Sequence, residues 1–179
     1  MDFFEKQIES EYKFEGKIMS ARVDKVMLSN GKIAVREVCE HVGGVAVLPI
    51  DNDGNVYLVK QFRYPYGIEM LEIPAGKMDH DDLESHLECG IRELQEETGF
   101  TADEMIYLGE VYPSPGFLME ILYLYAAKGL HKGETNPDED EFVETVKMPL
   151  DELCEKISKN EIRDGKTIAA VLKAKLLNL

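Results

Sequence analysis

Residues 85–99 constrain this chain more than any other stretch, because they pair a strong helix signal with a charge arrangement that does nothing for the helix's own stability. Leu87, Ile91 and Leu94 recur at helical spacing and are expected to anchor the helix to a sheet. Gly99 is expected to stop it as a left-handed cap. Glu93 and Glu97 lie one turn apart on one face, with Glu96 beside them. Like charges at that spacing cost a bare helix a few tenths of a kcal/mol. Three carboxylates near the C-terminal end also oppose the helix dipole. A divalent cation would relieve both penalties, since oxygen-only sites suit magnesium or manganese. A solvated acidic face is the other reading that the helix alone allows.

The whole chain of 179 residues suits one compact domain with a small appendage. Its 35 acidic residues against 20 Lys and Arg leave a net charge of −15, which repels a phosphate backbone and argues against nucleic-acid binding. A small phosphate-bearing substrate would therefore need local arginines and divalent cations where it binds. No stretch approaches the ~18 apolar residues of a membrane span. Residues 1–12 lack the pattern of a secretory signal, and Cys39, Cys89 and Cys154 have no CxxC spacing. Both features fit a reducing compartment, so a cytoplasmic protein is expected. His41, His80, His86 and His131 are not spaced for zinc, Ser114 lacks a nucleophile elbow, and there is no phosphate-binding GxxxxGK[ST] loop.

Residues 1–40 read as a β-rich appendage, with alternation over 12–18 and 20–26, a turn at 29–32 and a strand over 33–38. Such strands cannot form a core alone and must pack on something else. The main domain is expected over 41–179. Strands are expected at 43–50, 56–62, 105–111, 118–127 and 143–148, with loops over 74–84 and 128–141. A short helix should follow Pro149, and a closing helix over 166–177 should bury Ile168, Val171, Leu172 and Leu176. Strands interleaved with helices give a compact α/β domain.

The stretch from Pro74-Ala75-Gly76-Lys77 through Arg92-Glu93-Leu94-x-Glu96-Glu97-x-Gly99-Phe100 closely resembles the signature of the Nudix hydrolase family. Its second half matches at every fixed position. Glu84 keeps the expected distance before Arg92, but the usual glycine position falls on Met78, with Gly76 two residues earlier. A two-residue insertion within 79–83 accounts for this and leaves the helix register untouched. The resemblance implies an α/β/α sandwich with a mixed sheet, plus a small N-terminal antiparallel sheet. It implies that Glu93, Glu96 and Glu97 hold magnesium (manganese as a substitute), with the carbonyl of Ala75 completing the site. Arg92 and Glu84 would organise the loop and helix by ion pairing.

Three further segments resemble the ADP-ribose pyrophosphatase branch of that family. They are Gln61-Phe62-Arg63-Tyr64-Pro65, Pro113-Ser114-Pro115-Gly116-Phe117 with Glu120, and Asn30-Gly31-Lys32 with Arg36-Glu37-Val38 leading to His41-x-Gly43-Gly44. By resemblance, Arg63 meets substrate phosphate and residues 1–40 help build an adenosine pocket in a homodimer. Pro115 and Arg36 are substrate-site candidates, with pairing to a neighbour the other reading of Arg36, and Glu120 either adds a carboxylate to the metal cluster or orients a ligand group. Tyr12, Phe14 and Tyr64 are candidate aromatic platforms. The general base is expected from the loop 136–142, where Glu139 and Glu141 are equal candidates; a solvated charge run is the other reading of that loop, and a glutamate of the helix would then take the proton. The implied reaction is metal-assisted hydrolysis of ADP-ribose to AMP and ribose 5-phosphate. Another nucleoside diphosphate sugar or a dinucleotide would keep the mechanism. A non-catalytic ADP-ribose sensor is disfavoured by the retention of all three glutamates.

Overall fold

The computed structural model describes residues 3–78, 85–136 and 142–179. The chain divides into two units, one formed by Met1–Gly43 with Tyr112–Ile121, the other by Gly44–Val111 with Leu122–Leu179.

The smaller unit is an antiparallel sheet of β1 (Glu5–Glu15), β2 (Ser20–Leu28) and β3 (Ile33–Glu40), in that order. Gly31, at φ 79°, makes the β2–β3 turn, where the Leu28 N–H donates to the Lys32 carbonyl at 2.8 Å. The first strand begins at Glu5 rather than near Tyr12, because its early residues show no clean alternation, and every position of it is exposed. Residues 117–119 run along β3, with the Cys39 N–H donating to Phe117 and the Met119 N–H donating back to Cys39. The strand expected from residue 118 therefore begins only at Leu122.

In the larger unit a mixed sheet runs in the order β7 (Ala75–Lys77), β4 (Gly44–Pro49), β9 (Leu122–Lys132), β8 (Phe100–Val111). The β4–β9 pair is parallel and the others antiparallel. A second, antiparallel sheet runs β10 (Glu144–Pro149), β5 (Asn55–Arg63), β6 (Ile68–Glu72). The helices are α1 (His86–Thr98), α2 (Leu150–Ser158) and α3 (Gly165–Leu177). Alternation along β4 explains the layers. Val45 and Val47 share a core with Cys89 and Leu94 of α1, while Ala46 and Leu48 share another with Leu153 of α2 and Ala170, Val171 and Ala174 of α3. The chain thus holds an α/β fold whose mixed sheet is flanked by helices and, as a separate unit, a small antiparallel sheet, as expected.

Several boundaries differ from the expectation. β6 was not anticipated, β7 lies inside the expected loop 74–84, and β9 extends into the expected loop from 128. On α1, Leu87 and Ile91 are 39% and 42% exposed, whereas Cys89, Gly90, Glu93, Leu94, Glu97 and Thr98 are buried. Gly90 accounts for the rotation. A Cβ there would meet Val45 Cγ1 at 3.0 Å and Val47 Cγ2 at 3.3 Å, so the helix lies close on β4 along the 90, 93, 94, 97 stripe. The closing helix follows the same logic, burying Thr167, Ala170, Val171 and Ala174 and leaving Leu172 and Leu176 exposed. No helix among the described residues is long and apolar enough to cross a membrane.

Gly99 caps α1 at φ 74°, with its N–H donating to Gln95 at 2.8 Å. A Cβ there would lie 2.9 Å from the Gly133 carbonyl oxygen, a backbone atom. Both the torsion and the approach oppose a side chain. Gly99→Ala is expected to destabilise the fold by about 1–2 kcal/mol and lower Tm by roughly 3–8 °C in a thermal melt.

Candidate active site

The start of α1 is fixed by a capping box, with Ser85 N–H donating to Glu88 Oε2 at 2.8 Å and Glu88 N–H to Ser85 Oγ at 3.3 Å. That helix is laid against β7, and its sheet-facing stripe carries two carboxylates, Glu93 and Glu97, only 8% and 2% exposed. Glu97 Oε2 accepts the Ala75 backbone N–H at 2.9 Å. The Glu93 carboxylate lies over Gly76, so closely that a Cβ there would fall 1.8 Å from its Cδ. Burying two carboxylates is costly unless each finds donors or a cation. Arg92 provides part of the compensation, donating from Nη1 to Glu93 Oε1 at 2.7 Å and to Glu96 Oε2 at 2.8 Å.

Arg92 thus makes the Glu93 and Glu96 carboxylates converge on one positive point, and Glu97 lies one turn on against the adjacent strand. The donor set is all oxygen, which fits a hard divalent ion. Among the described residues no three His, Cys, Asp or Glu side chains are gathered tightly enough to hold an ion. The candidate ligands are therefore present in type and neighbourhood, with a guanidinium bridging two of them. Glu84, the expected partner of Arg92, and the candidate bases Glu139 and Glu141 lie outside the described residues. The described residues that precede the two bases are tied to the end of this helix, the Asn136 N–H donating to the Glu96 carbonyl at 3.0 Å and the Gly133 N–H to the Gly99 carbonyl at 2.7 Å.

Arg63, at the end of β5, is forked onto Glu72 of β6, with Nε to Oε1 at 2.8 Å and Nη2 to Oε2 at 2.7 Å. Glu72 is 1% exposed and also receives Lys166 Nζ, which reaches Asp164 at 3.1 Å as well. The four charges cancel. The hydrogen bond to Glu72 raises the Arg63 pKa. Burial alone would raise that of Glu72, but the Arg63 hydrogen bond and the Lys166 charge outweigh it and bring it down to about 2. Sequence reasoning missed Glu72, Asp164, Lys166 and Thr167. Two signals were available. A glutamate interrupts the apolar run 70–73, and Asp164 stands three residues before Thr167 as a helix cap.

The Glu72 shift has a defined pH consequence. Its folded pKa lies below the ordinary 4.5, so its contribution is complete above about pH 5 and is lost as pH falls toward 2. Glu72→Gln is expected to cost on the order of 3 kcal/mol at pH 7, read by denaturant unfolding. The gap from the parent protein should close progressively between about pH 5 and pH 2.

The remaining candidates, Tyr64 apart, belong to the smaller unit. Arg36 is forked onto Glu5, Nε to Oε2 at 2.9 Å and Nη2 to Oε1 at 2.6 Å, a pairing that raises its pKa. Glu120 stands 3.5 Å from His41 Nδ1. That nitrogen accepts the Gly43 N–H at 3.0 Å. Pro115 is exposed in a turn closed by the Leu118 N–H on the Ser114 carbonyl at 3.0 Å. Among the aromatic candidates, Tyr12, Phe14 and Tyr64 are all exposed, so none is a core residue, and the Tyr12 hydroxyl donates to Glu40 at 2.9 Å.

Comparison with known proteins agrees with the motif. The NUDIX domain model matches residues 34–171, and a model of the nucleoside diphosphate sugar hydrolase N-terminal domain matches residues 5–39. The chain is 42% identical to the "Methanol dehydrogenase activator" of Bacillus methanolicus, over 94% of this chain and 91% of that protein. It is 39% identical to the "ADP-ribose pyrophosphatase" of Bacillus subtilis (strain 168), over 93% and 90% of the two chains. A solved structure described as an "ADP compounds hydrolase" superposes with a TM-score of 0.85 at 20% identity, covering 99% of this chain and 96% of that one, and so shares the fold. The resemblance carried by Arg92, the three glutamates and Gly99 therefore extends across nearly the whole chain, which belongs to the NUDIX family and is a hydrolase of its pyrophosphatase type.

Proposed function

We propose that this protein hydrolyses ADP-ribose to AMP and ribose 5-phosphate in the cytoplasm, using magnesium, with manganese as a substitute. The observation that carries the reading is the convergence of Glu93 and Glu96 on one cationic point beside Glu97, which is held to the Ala75 backbone. The family generally uses divalent metals, and here Glu93, Glu96, Glu97 and the Ala75 carbonyl would hold them. Bound metal neutralises phosphate oxygens and lowers the pKa of a coordinated water.

The chain's own residues supply the rest. Arg63 offers a phosphate the part of its guanidinium not engaged by Glu72, and the Glu72 fork fixes its plane. Glu139 or Glu141 takes the proton of the attacking water, a role supported by their place in the sequence just after Asn136, whose N–H donates to the Glu96 carbonyl. The water oxygen bonds to one phosphorus as the bridging P–O bond breaks, and the two monoester products leave. Arg36, Glu120 and Pro115 contribute to the substrate site. Residues 1–40 serve dimerisation and the adenosine pocket in a homodimer, with 41–179 as the hydrolase domain. The exposed apolar side chains of Ile8, Tyr12 and Phe14 along the first strand, with Phe4 just before it, support that dimer role. The thiols of Cys39, Cys89 and Cys154 suit a reducing compartment.

A second reading keeps the mechanism and changes the substrate to a dinucleotide. It is favoured by the relative named as an activator of a dehydrogenase, since dinucleotide cofactors contain the same diphosphate link. Nucleoside diphosphate sugars other than ADP-ribose are supported by the N-terminal domain match.

Phosphatase-coupled hydrolysis with magnesium tests these readings against each other, using ADP-ribose, ADP-glucose, NADH and FAD. Strong preference for ADP-ribose is expected. Preference for NADH or ADP-glucose would move the substrate and retain the mechanism. Binding of ADP-ribose without turnover of any compound would leave a sensor.

A further inference from the structure

The segment Glu72-Ile73-Pro74-Ala75, which crosses from β6 to β7, is anchored at every residue. Glu72 is gripped by Arg63 and Lys166. The Ile73 N–H donates to Thr167 Oγ1 at 2.9 Å. The Pro74 carbonyl accepts the Val47 N–H at 2.9 Å, and the Ala75 N–H donates to Glu97 Oε2 at 2.9 Å. Two of these four anchors come from the first turn of α3, an element with no motif of its own. Thr167 is fully buried, and its hydroxyl donates to Asp164 Oδ2 at 2.5 Å while accepting from Ile73. Asp164 caps α3 by accepting the Thr167 N–H at 3.0 Å and also receives Lys166. Valine would fill the same space as this threonine and keep the apolar packing. The hydroxyl is what links the Asp164 cap to the Ile73 N–H, two residues before the N–H that orients Glu97.

We infer that Thr167 is a positioning residue for hydrolysis. Through Ile73 it fixes the segment that presents the Ala75 N–H to Glu97, and through its neighbour Lys166 the same helix turn helps hold Glu72 and hence Arg63. The first turn of α3 thereby sets the metal-bearing carboxylate and the phosphate-binding arginine in one frame. The inference rests on the proposed roles of Glu97 and Arg63. A carboxylate displaced by an ångström loses much of its effect on the reaction while substrate still binds elsewhere.

The test compares Thr167→Val with Thr167→Ser, which keeps the hydroxyl, at a temperature where both are folded. Thr167→Val is expected to lower kcat about 10- to 100-fold with KM within about threefold of the parent value. The Ile73 and Ala75 amides should exchange faster with solvent deuterium, and manganese affinity, read by electron paramagnetic resonance, should fall about tenfold. Thr167→Ser should restore all three readouts. If Thr167→Val fails to fold, Asp164→Asn replaces it, and the same separation of kcat from KM is expected in milder form. An active parent protein whose Thr167→Val or Asp164→Asn variant keeps its kcat and amide protection overturns the inference and leaves the proposed function standing. A serine variant as impaired as the valine one also overturns it. A parent protein inactive on every diphosphate substrate overturns the function and the inference together.

Discussion

Glu97→Gln is expected to lower kcat for ADP-ribose about 10³-fold, the loss of several kcal/mol of metal-borne charge stabilisation, while the protein stays folded. The reason lies in what glutamine retains. Its side-chain carbonyl can still accept the Ala75 N–H that Glu97 Oε2 now accepts at 2.9 Å, so the contact between α1 and β7 survives. Only the negative charge is lost. With that contact kept at a position 2% exposed, Tm is expected to fall by no more than a few degrees. Manganese affinity, measured by calorimetry, should fall with kcat. A variant that keeps its activity would mean that Glu97 serves only to tie the helix to the strand. A variant that unfolds would mean that the charge is compensated structurally rather than by a metal.

Gly76→Ala should come close to this effect by steric means. The added Cβ would fall 1.8 Å from Glu93 Cδ and 2.4 Å from its Oε2, far inside van der Waals contact. The colliding atoms are the far end of a side chain, so the strand pairing of Val45 with Gly76 can persist while the Glu93 carboxylate moves away. The expected result is a loss of about 10²-fold in kcat with at most about 2 kcal/mol of stability lost. A double-mutant cycle isolates the cause. If the alanine acts by displacing Glu93, then combining it with Glu93→Gln should cost little more than Glu93→Gln alone. Additive losses would show that the alanine disturbs β7 itself, and the Glu93 account would fail.

These two sites show how unevenly the chain could be read in advance. Glu93, Glu96 and Glu97 stand out because carboxylates one turn apart are a local pattern, and the helix ends are local too, in the Ser85 box and the Gly99 cap. The partners that hold those carboxylates were not legible. Ala75 lies 22 residues before Glu97, and the bond that fixes Ile73 comes from Thr167, 94 residues on. The orientation of α1 was misread for a related reason. An apolar stripe of Leu87, Ile91 and Leu94 is the expected buried face by hydrophobicity, but Gly90 lets the helix approach Val45 and Val47 along a different stripe.

The sequence by itself determined what depends on neighbours along the chain. That includes the helix over 85–98 and its caps, the turn at Asn30-Gly31, the helix after Pro149, the acidic character of the site and the family. Torsional preference and side-chain spacing act over a few residues, and that is enough to specify them. Only the tertiary structure decided which helix faces are buried, that Ala75–Lys77 is a strand, and that Arg63 leans on a buried Glu72 shared with Lys166. Each of these turns on the cost of removing a charge or a backbone N–H from water, and that cost is settled by whichever distant group arrives to meet it.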